Sequence, residues 1–397
     1  EPESLRQISW NTSFDEELSG LTAANGRLFV STLETHQVHA LDMNSGEVLW
    51  SYTAGGRVDS PPTIYNNLVF FGSRDGYVYC LRADNGGLVW RFRAAPIDRR
   101  IIDDSQLESS WPVHGGVLIR DDRLYVSAGR TSLLNGGMAL YALDPGSGDI
   151  LAKNRLHDSY SEAEPKMIRN DGRNYRGDIG ISNDILARED TCITLRQMRI
   201  DKNLSQVGIS NGQFISMNGM LNPDWQSRIA SFFGQPNESR NSNADRDQYD
   251  YLESPRQGSY MVFDEELTYS VRIHPNAGKF RTSFVPGQKG YRIFADDNQT
   301  LENIWNRYVP IRVEAMVATA GETLFLAGTP DVVDEDDPWG AIEGRKGGLL
   351  WALSADNGKK LSEYQLNSPP VFDGMIAVNG KLYMASVDGS VICIGES

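Results

Sequence analysis

The sequence predicts an all-β protein built from repeated four-stranded antiparallel sheets. The segment Ala40–Trp50 recurs at Cys80–Trp90, an offset of 40 residues that aligns the glycine and the tryptophan of both copies. Weaker copies without the final tryptophan begin at Ala142 and Ala352, and the 38 glycines and 17 prolines supply many turns. A repeat of about 40 to 50 residues with four strands per unit is typical of a β-propeller.

The strands themselves are indicated by short apolar runs upstream of each copy. They alternate in the manner of half-buried strands and are bounded by Asn/Asp–Gly turns. The runs are Leu28–Val30, Leu68–Phe70, Leu124–Val126, Leu324–Leu326 and Leu382–Met384.

Counting these units predicts seven blades in a single domain spanning residues 1–397. The last blade, at about 369–395, lacks a fourth strand, and Gln7–Trp10 resembles Glu47–Trp50. We therefore expect an N-terminal strand at about 5–14 to complete the last blade and close the ring, which removes an exposed sheet edge.

The fourth blade is the most divergent. Its expected strands lie near Asp184–Ala187, Cys192–Met198, Gln213–Met217 and Arg228–Phe232. Eight blades are the alternative if segment 200–257 holds an extra sheet.

Ala40, Asp42, Gly46 and Trp50 form the pattern Ala-x-Asp-x-x-x-Gly-x-x-x-Trp. This pattern resembles the tryptophan-docking motif of the pyrroloquinoline-quinone (PQQ) repeat propellers. The resemblance implies that each tryptophan packs on the neighbouring blade near its glycine, which is a structural role. A shared repeat does not by itself transfer an activity.

Composition narrows the range of partners. Acidic residues outnumber basic ones by 53 to 38, for a formal net charge of −15. Such a surface repels nucleic acid, and no apolar run approaches the roughly 18 residues of a membrane span. The scattered Cys80, Cys192 and Cys393 are expected to be buried free thiols. The opening Glu1-Pro2 is consistent with a mature or trimmed terminus, and membership of a larger protein is left open as an alternative.

Long insertions are expected on one face only. In a blade with strands A to D from the axis outward, the A–B turns here are tight, whereas the B–C and D–A connections are long. One-sided elaboration of a rigid scaffold favours a binding role for that face, with a protein or polysaccharide as partner. The long segments are 94–110, 128–137, 157–178, 200–211, 235–257, 274–289 and 329–346.

Where strand A enters the axial channel on this face, the sequence predicts a candidate pocket of mixed charge. It could orient a polar small molecule or glycan, or it could be a ring of ion pairs that plugs the channel. His114 is a candidate general base or ligand, with a structural hydrogen-bonding role as the alternative. The candidate pocket residues are Arg57, Asp59, Ser60, Trp111, His114, Asn183, Arg312 and Glu314.

The run Asp331–Asp337 carries five carboxylates in seven residues. Its oxygen ligands make Asp331, Asp334 and Asp336 candidates for a Ca²⁺ site, with a solvated acidic loop as the alternative.

These features predict a non-catalytic binding or scaffold propeller, periplasmic or extracellular, for which no cofactor is expected. The resemblance implies PQQ with calcium only if a metal-binding carboxylate set, a stacking aromatic and an aspartate base can be placed, and no motif places them. The alternative function is an enzyme with an axial active site. It would be a quinoprotein oxidoreductase, or a carbohydrate-active propeller that uses His114 with Asp59 or Glu314.

Overall fold

The structure is a computed structural model. In its described part every regular element is one of 33 β-strands, and all strand pairs are antiparallel. The described residues are 8–103, 105–114, 116–157, 182–189, 191–196, 198–209, 214–216, 231–233, 257–258, 260–272, 286–300, 302–320 and 322–395.

Six four-stranded sheets each use four strands that are consecutive in the chain. The first three are β2 (Thr22–Ala24), β3 (Arg27–Thr32), β4 (Gln37–Asp42) and β5 (Val48–Thr53); β6 (Thr63–Tyr65), β7 (Leu68–Gly72), β8 (Tyr77–Arg82) and β9 (Leu88–Arg93); and β12 (Leu118–Arg120), β13 (Arg123–Ala128), β14 (Met138–Leu143) and β15 (Ile150–Leu156). The next three are β16 (Leu186–Glu189), β17 (Cys192–Leu195), β18 (Met198–Ile200) and β19 (Gln206–Ile209); β23 (Tyr260–Phe263), β24 (Leu267–Arg272), β25 (Tyr291–Asp297) and β26 (Asn303–Val309); and β27 (Ile311–Ala318), β28 (Thr323–Pro330), β29 (Gly348–Ser354) and β30 (Lys360–Leu366).

The last four-stranded sheet joins the two ends of the chain. Strands β31 (Pro370–Val378), β32 (Lys381–Ser386) and β33 (Ser390–Ile394) are completed by β1 (Ile8–Ser13), which pairs antiparallel with β33. The register runs from Ile8 opposite Ile394 to Ser13 opposite Ser390. The N-terminal strand therefore occupies the outer edge of the last sheet, as predicted, while residues 5–7 of its expected range lie outside the described residues.

Two smaller sheets complete the described strands. Strands β10 (Arg100–Asp103) and β11 (Gln106–Ser109) form a hairpin in the 94–110 connection. Strands β20 (Phe214–Ser216), β21 (Ser231–Phe233) and β22 (Gln257–Gly258) form a three-stranded sheet.

The three-stranded sheet of β20, β21 and β22 shows that the strands expected for the fourth blade were partly wrong. Of the expected segments 213–217 and 228–232, the described residues 214–216 and 231–232 do not pair with the strands near 184–198; they belong to β20 and β21 of a separate sheet, and the other residues of both segments lie outside the described part of the chain. The outer strands of the fourth sheet are instead β18 and β19, joined by a tight turn in which the Asp201 carboxylate accepts hydrogen bonds from the amides of Asn203 and Ser205, both at 2.8 Å. That turn contains no glycine, so the usual sequence signal for it is missing. The extra sheet lies where the eight-blade alternative expects one, and the number of blades stays a prediction.

Neighbouring sheets are joined by docked tryptophans. The Trp50 indole, on outer strand β5, donates a hydrogen bond to the Ala83 carbonyl at 3.0 Å, and its ring lies on Gly86 of the next sheet. A Cβ on Gly86 would lie 2.7 Å from that ring, so glycine is needed at this contact as well as for its φ of +71°. The same arrangement recurs for Trp10 on Gly46, Trp90 on Gly148 and Trp305 on Gly358.

The core lies between successive sheets. One cluster packs Phe70 and Val78 against Leu124 and Val126 of the following sheet, and another packs Leu28 of the first sheet against Tyr383 of the last. The first strands of consecutive sheets also contact one another, which makes them the innermost strands. Sheets that repeat radially in this way form a β-propeller. The three cysteines are buried and free.

Candidate functional site

The β10–β11 hairpin lies on the face that carries the B–C and D–A connections. The Ser109 amide donates to the Arg74 carbonyl at 2.7 Å, which fixes β11 to the B–C turn of the second sheet. The Gln106 side chain reaches the first sheet, where it contacts Glu34 at 2.9 Å and His36 at 3.0 Å. The hairpin is therefore tied to two sheets.

Asp59 is at the centre of the charged cluster beneath the hairpin. Its carboxylate accepts hydrogen bonds from Arg57 Nε at 2.8 Å and Arg74 Nε at 2.7 Å, and His114 Nδ1 lies 3.4 Å away. Burial by itself raises the pKa of Asp59, but the hydrogen bonds from His114 and Arg74 outweigh burial and hold that pKa well below its usual value. Asp59 is therefore an ionised acceptor with its charge compensated.

Glu108 extends the cluster into the hairpin. Only 1% of the residue is exposed, and its carboxylate forms ion pairs with Arg74 Nη1 at 3.2 Å and with Arg130. Arg130 also binds Asp103 at 3.1 Å, and burial lowers the pKa of its guanidinium. A continuous chain of ion pairs thus runs from Arg57 to Arg130 and holds both hairpin strands.

Arg57, Asp59 and His114 are therefore brought together as the sequence suggested, and Ser60 follows directly. The Ser60 side chain is buried, and its hydroxyl has no hydrogen-bond partner among the described residues. The sequence did not point to Arg74, Glu108 or Arg130. Only their positions could have marked them as site residues. Arg74 and Arg130 lie near the start of B–C connections, and Glu108 lies in the 94–110 insertion.

Two of the candidate pocket residues, Trp111 and Asn183, have structural roles rather than lining a pocket. Trp111 is 4% exposed and donates a hydrogen bond to the Gly137 carbonyl at 3.2 Å, within the core between the second and third sheets. The Asn183 amide donates to the carbonyls of Ser127 and Gly129, at 3.3 and 2.8 Å. Both side chains support the 128–137 connection.

Arg312 and Glu314 lie apart from this cluster, on inner strand β27. The register of β27 against β28 shifts between Val313 and Ala315, so Glu314 lies at a β-bulge. Bulges re-aim side chains and are common beside active sites. Burial raises the pKa of Glu314 to about 7, against the opposing effect of Arg312.

A second register shift occurs on the adjacent inner strand, β31, between Pro370 and Met375. Asp373 lies within it and accepts a hydrogen bond from the buried Tyr260 hydroxyl. Burial raises the pKa of Asp373, and the Tyr260 hydrogen bond opposes that effect. Glu314 and Asp373 thus both lie at register shifts on inner strands.

The three proposed calcium ligands do not converge. Asp331 accepts a hydrogen bond from the Gly287 amide at 2.9 Å, Asp334 pairs with Lys346 at 2.6 Å, and Asp336 is exposed. Within the described ranges, no group of three or more His, Cys, Asp or Glu side chains is placed to hold a metal ion. Among the described axial carboxylates, Asp59 is paired with Arg57 and Arg74, which leaves it poorly placed to act as a metal ligand or base.

Comparison with known proteins identifies the repeat. Residues 5–158 match a family model described as outer membrane protein assembly factor BamB. The PQQ-type repeat is confirmed over these residues. A 95-residue stretch is 30% identical to BamB of Shewanella oneidensis, covering 20% of this chain and 24% of that protein.

Dehydrogenases of the same repeat class also match. A stretch of 109 residues is 32% identical to the lanthanide-dependent methanol dehydrogenase of Methylacidiphilum fumariolicum, covering 24% of this chain and 18% of that protein. The quinohemoprotein alcohol dehydrogenase ADH IIB of Pseudomonas putida is 22% identical over 98% of this chain and 62% of its own length. The chain thus spans less than two thirds of each of these relatives.

Among solved structures, a europium-containing methanol dehydrogenase superposes with a TM-score of 0.55 at 12% identity, covering 96% of this chain and 84% of that one. At this identity the likeness shows the fold alone, and the propeller prediction is confirmed. In the described part of the chain, no helix is long and apolar enough to cross a membrane.

Proposed function

We propose that this chain is a non-catalytic, protein-binding propeller that acts through its B–C and D–A face. The observation that carries the proposal is an apolar pair on the β10–β11 hairpin. Ile102 and Leu107 lie opposite each other in register and are 79% and 54% exposed. Exposed apolar pairs on a short two-stranded sheet are unfavourable in water, and they mark surfaces that a partner covers.

Alternation along the hairpin explains why the pair points outward. Side chains on a strand alternate between faces, and Glu108 is directed into the buried ion-pair chain. Its neighbour Leu107 therefore lies on the opposite face of β11. Because Arg74 and Arg130 hold Glu108, the pair is presented on a rigid platform, which lowers the entropy lost on binding.

Other exposed apolar side chains on the same face support the proposal. They are Ile97, Leu134, Val332, Val333, Trp339, Ile342 and Val387. An aliphatic surface of this kind favours a protein over a polysaccharide, and the relatives named as assembly factors for outer membrane proteins support an interaction role. We place the protein in the periplasm or outside the cell on the same ground.

A photo-crosslinking experiment tests the proposal. A photoreactive phenylalanine analogue replaces Ile102, and a control replaces Asn25, which is exposed in a tight A–B turn on the opposite face. We expect a discrete protein adduct from position 102 in cells that produce the protein, with its yield reduced by Leu107→Asp. Equal adduct yields from positions 102 and 25 would reject the binding face.

An axial enzyme is the second candidate function, and Glu314 is the observation that favours it. A largely buried carboxyl with a pKa near 7 is suited to general acid–base chemistry at neutral pH. Asp59 is less suited, because its carboxylate is already paired with Arg57 and Arg74.

The enzyme is tested with a panel of alcohols, with and without PQQ and Ca²⁺, and with a panel of glycosides. Turnover that is lost in Glu314→Gln, at a melting temperature no lower than that of the parent, supports the enzyme. No turnover in either panel, together with no melting shift on adding PQQ and Ca²⁺, removes it.

A further inference from the structure

The connection between β28 and β29 carries an exposed tryptophan, Trp339, of which 64% is accessible. We propose that Trp339 anchors a docking surface for an arginine- or lysine-bearing segment of a partner protein. This inference rests on the proposed function and adds the chemistry of the partner. Large aromatic side chains dominate the binding energy of many protein interfaces, so an uncovered tryptophan is a strong marker.

The loop around Trp339 is rigidly braced. Arg345 binds both carboxylate oxygens of Asp337, at 2.6 and 3.2 Å, and also pairs with Glu343. Lys346 pairs with Asp334 at 2.6 Å. A bidentate Arg–carboxylate pair fixes geometry better than a single contact does. Two carboxylates of the acidic run that suggested calcium, Asp334 and Asp337, therefore form ion pairs with Lys346 and Arg345 within the loop.

The backbone at Trp339 is equally constrained. The Glu343 amide donates to the Trp339 carbonyl at 2.9 Å, and the Gly340 amide donates to the Asp337 carbonyl at 3.0 Å. A Cβ on Gly340 would lie 2.0 Å from the Asp337 carboxylate, so that carboxylate folds directly over the glycine beside the tryptophan. The indole is thus presented by a preorganised turn, which reduces the ordering cost of binding.

The charge around Trp339 specifies the partner. Residues 331–347 contain six acidic and two basic side chains, a net charge of −4. Both basic residues are engaged by the brace, whereas Glu335 and Asp336 are exposed. A guanidinium or ammonium group binds the face of an indole and is further attracted by nearby carboxylates. A second copy of this chain, at −15, is disfavoured by charge repulsion.

Fluorescence polarisation on the purified full chain tests the inference. The probe is a labelled peptide with arginine at alternate positions, and its matched control carries neutral citrulline in place of each arginine. We expect the arginine peptide to bind about tenfold more tightly than the citrulline peptide, and Trp339→Ala to weaken it about fivefold. Trp339→Phe should retain more binding than Trp339→Leu, because only phenylalanine keeps an aromatic face. Glu335→Gln with Asp336→Asn should also weaken binding.

Phe263 provides a matched control, since it is an exposed aromatic beside Asp264, Glu265 and Glu266 on an A–B turn of the opposite face. Phe263→Ala should leave the affinity unchanged. Equal losses in Trp339→Ala and Phe263→Ala, equal binding of the two peptides, or equal binding by the Phe and Leu variants at position 339 would each overturn the inference. Since the hairpin adducts at position 102 are measured independently, failure here is distinguishable from failure of the proposed function.

Discussion

Replacing Glu108 by glutamine removes one negative charge from a buried position between two arginines. Breaking a buried ion pair by deleting one partner costs about 3 to 5 kcal/mol, because it leaves an uncompensated charge. Arg74 keeps Asp59 and Arg130 keeps Asp103, so we expect the lower end of that range, about 3 kcal/mol.

This loss in the free energy of unfolding lowers the melting temperature. Unfolding entropy of about 2.1 cal/mol/K per residue gives about 0.8 kcal/mol/K for the whole chain, so the melting temperature should fall by about 4 °C. Circular dichroism melting near neutral pH measures it. The control is Glu34→Gln, because the Glu34 side chain is 58% exposed and lies 3.8 Å from Arg57. An exposed pair contributes at most about 1 kcal/mol, so the control should shift by about 1 °C or less. Equal melting shifts in the two variants would refute the stabilising contribution assigned to the buried ion pairs of Glu108.

Three further predictions follow from single positions. In denaturant titrations, Gly86→Ala should lower the free energy of unfolding by about 1 to 3 kcal/mol more than Gly26→Ala does. Both glycines have positive φ, but only Gly86 contacts a tryptophan ring. Equal losses of stability in the two variants would contradict the docking role of Gly86. Burial lowers the pKa of His39 to about 4, so stability that is present above pH 6.5 is lost as the pH falls toward 4, by about 3 kcal/mol. His39→Gln should therefore reduce the dependence of the melting temperature on pH between 6.5 and 4. An unchanged pH dependence in this variant would count against the role of His39. Burial raises the pKa of Glu314 to about 7, so stability that is present below pH 4.5 is lost as the pH rises through 7. Glu314→Gln should therefore have a higher melting temperature than the parent at pH 8. A lower melting temperature at that pH would show that the carboxylate stabilises the fold.

The sequence was sufficient for features that depend on local patterns. The repeat copies predicted the four-stranded sheets, and Trp50 and Trp90 dock on the next sheet as the resemblance implies. The completing strand at Ile8–Ser13 could be predicted because an unpaired fourth position at one end of a ring needs a strand from the other.

Non-local features were beyond the sequence. Glu108 meets Arg74 and Arg130 only after three different connections fold onto one face, and no spacing encodes that meeting. Position alone also misled, because Trp111 and Asn183 occur at the expected channel entry but direct their polar groups to backbone carbonyls.

Pairing of β1 with β33 has a consequence for biogenesis. Ser9 and its hydrogen-bond partner Gly395 are separated by 386 positions. At a synthesis rate of about 5 to 20 residues per second, strand β1 waits about 20 to 80 s for its partner to be made. Until then β1 has no partner strand, and its backbone edge is open to pairing with other chains. Chaperone protection of the nascent protein should therefore matter most before the final strand emerges from the ribosome.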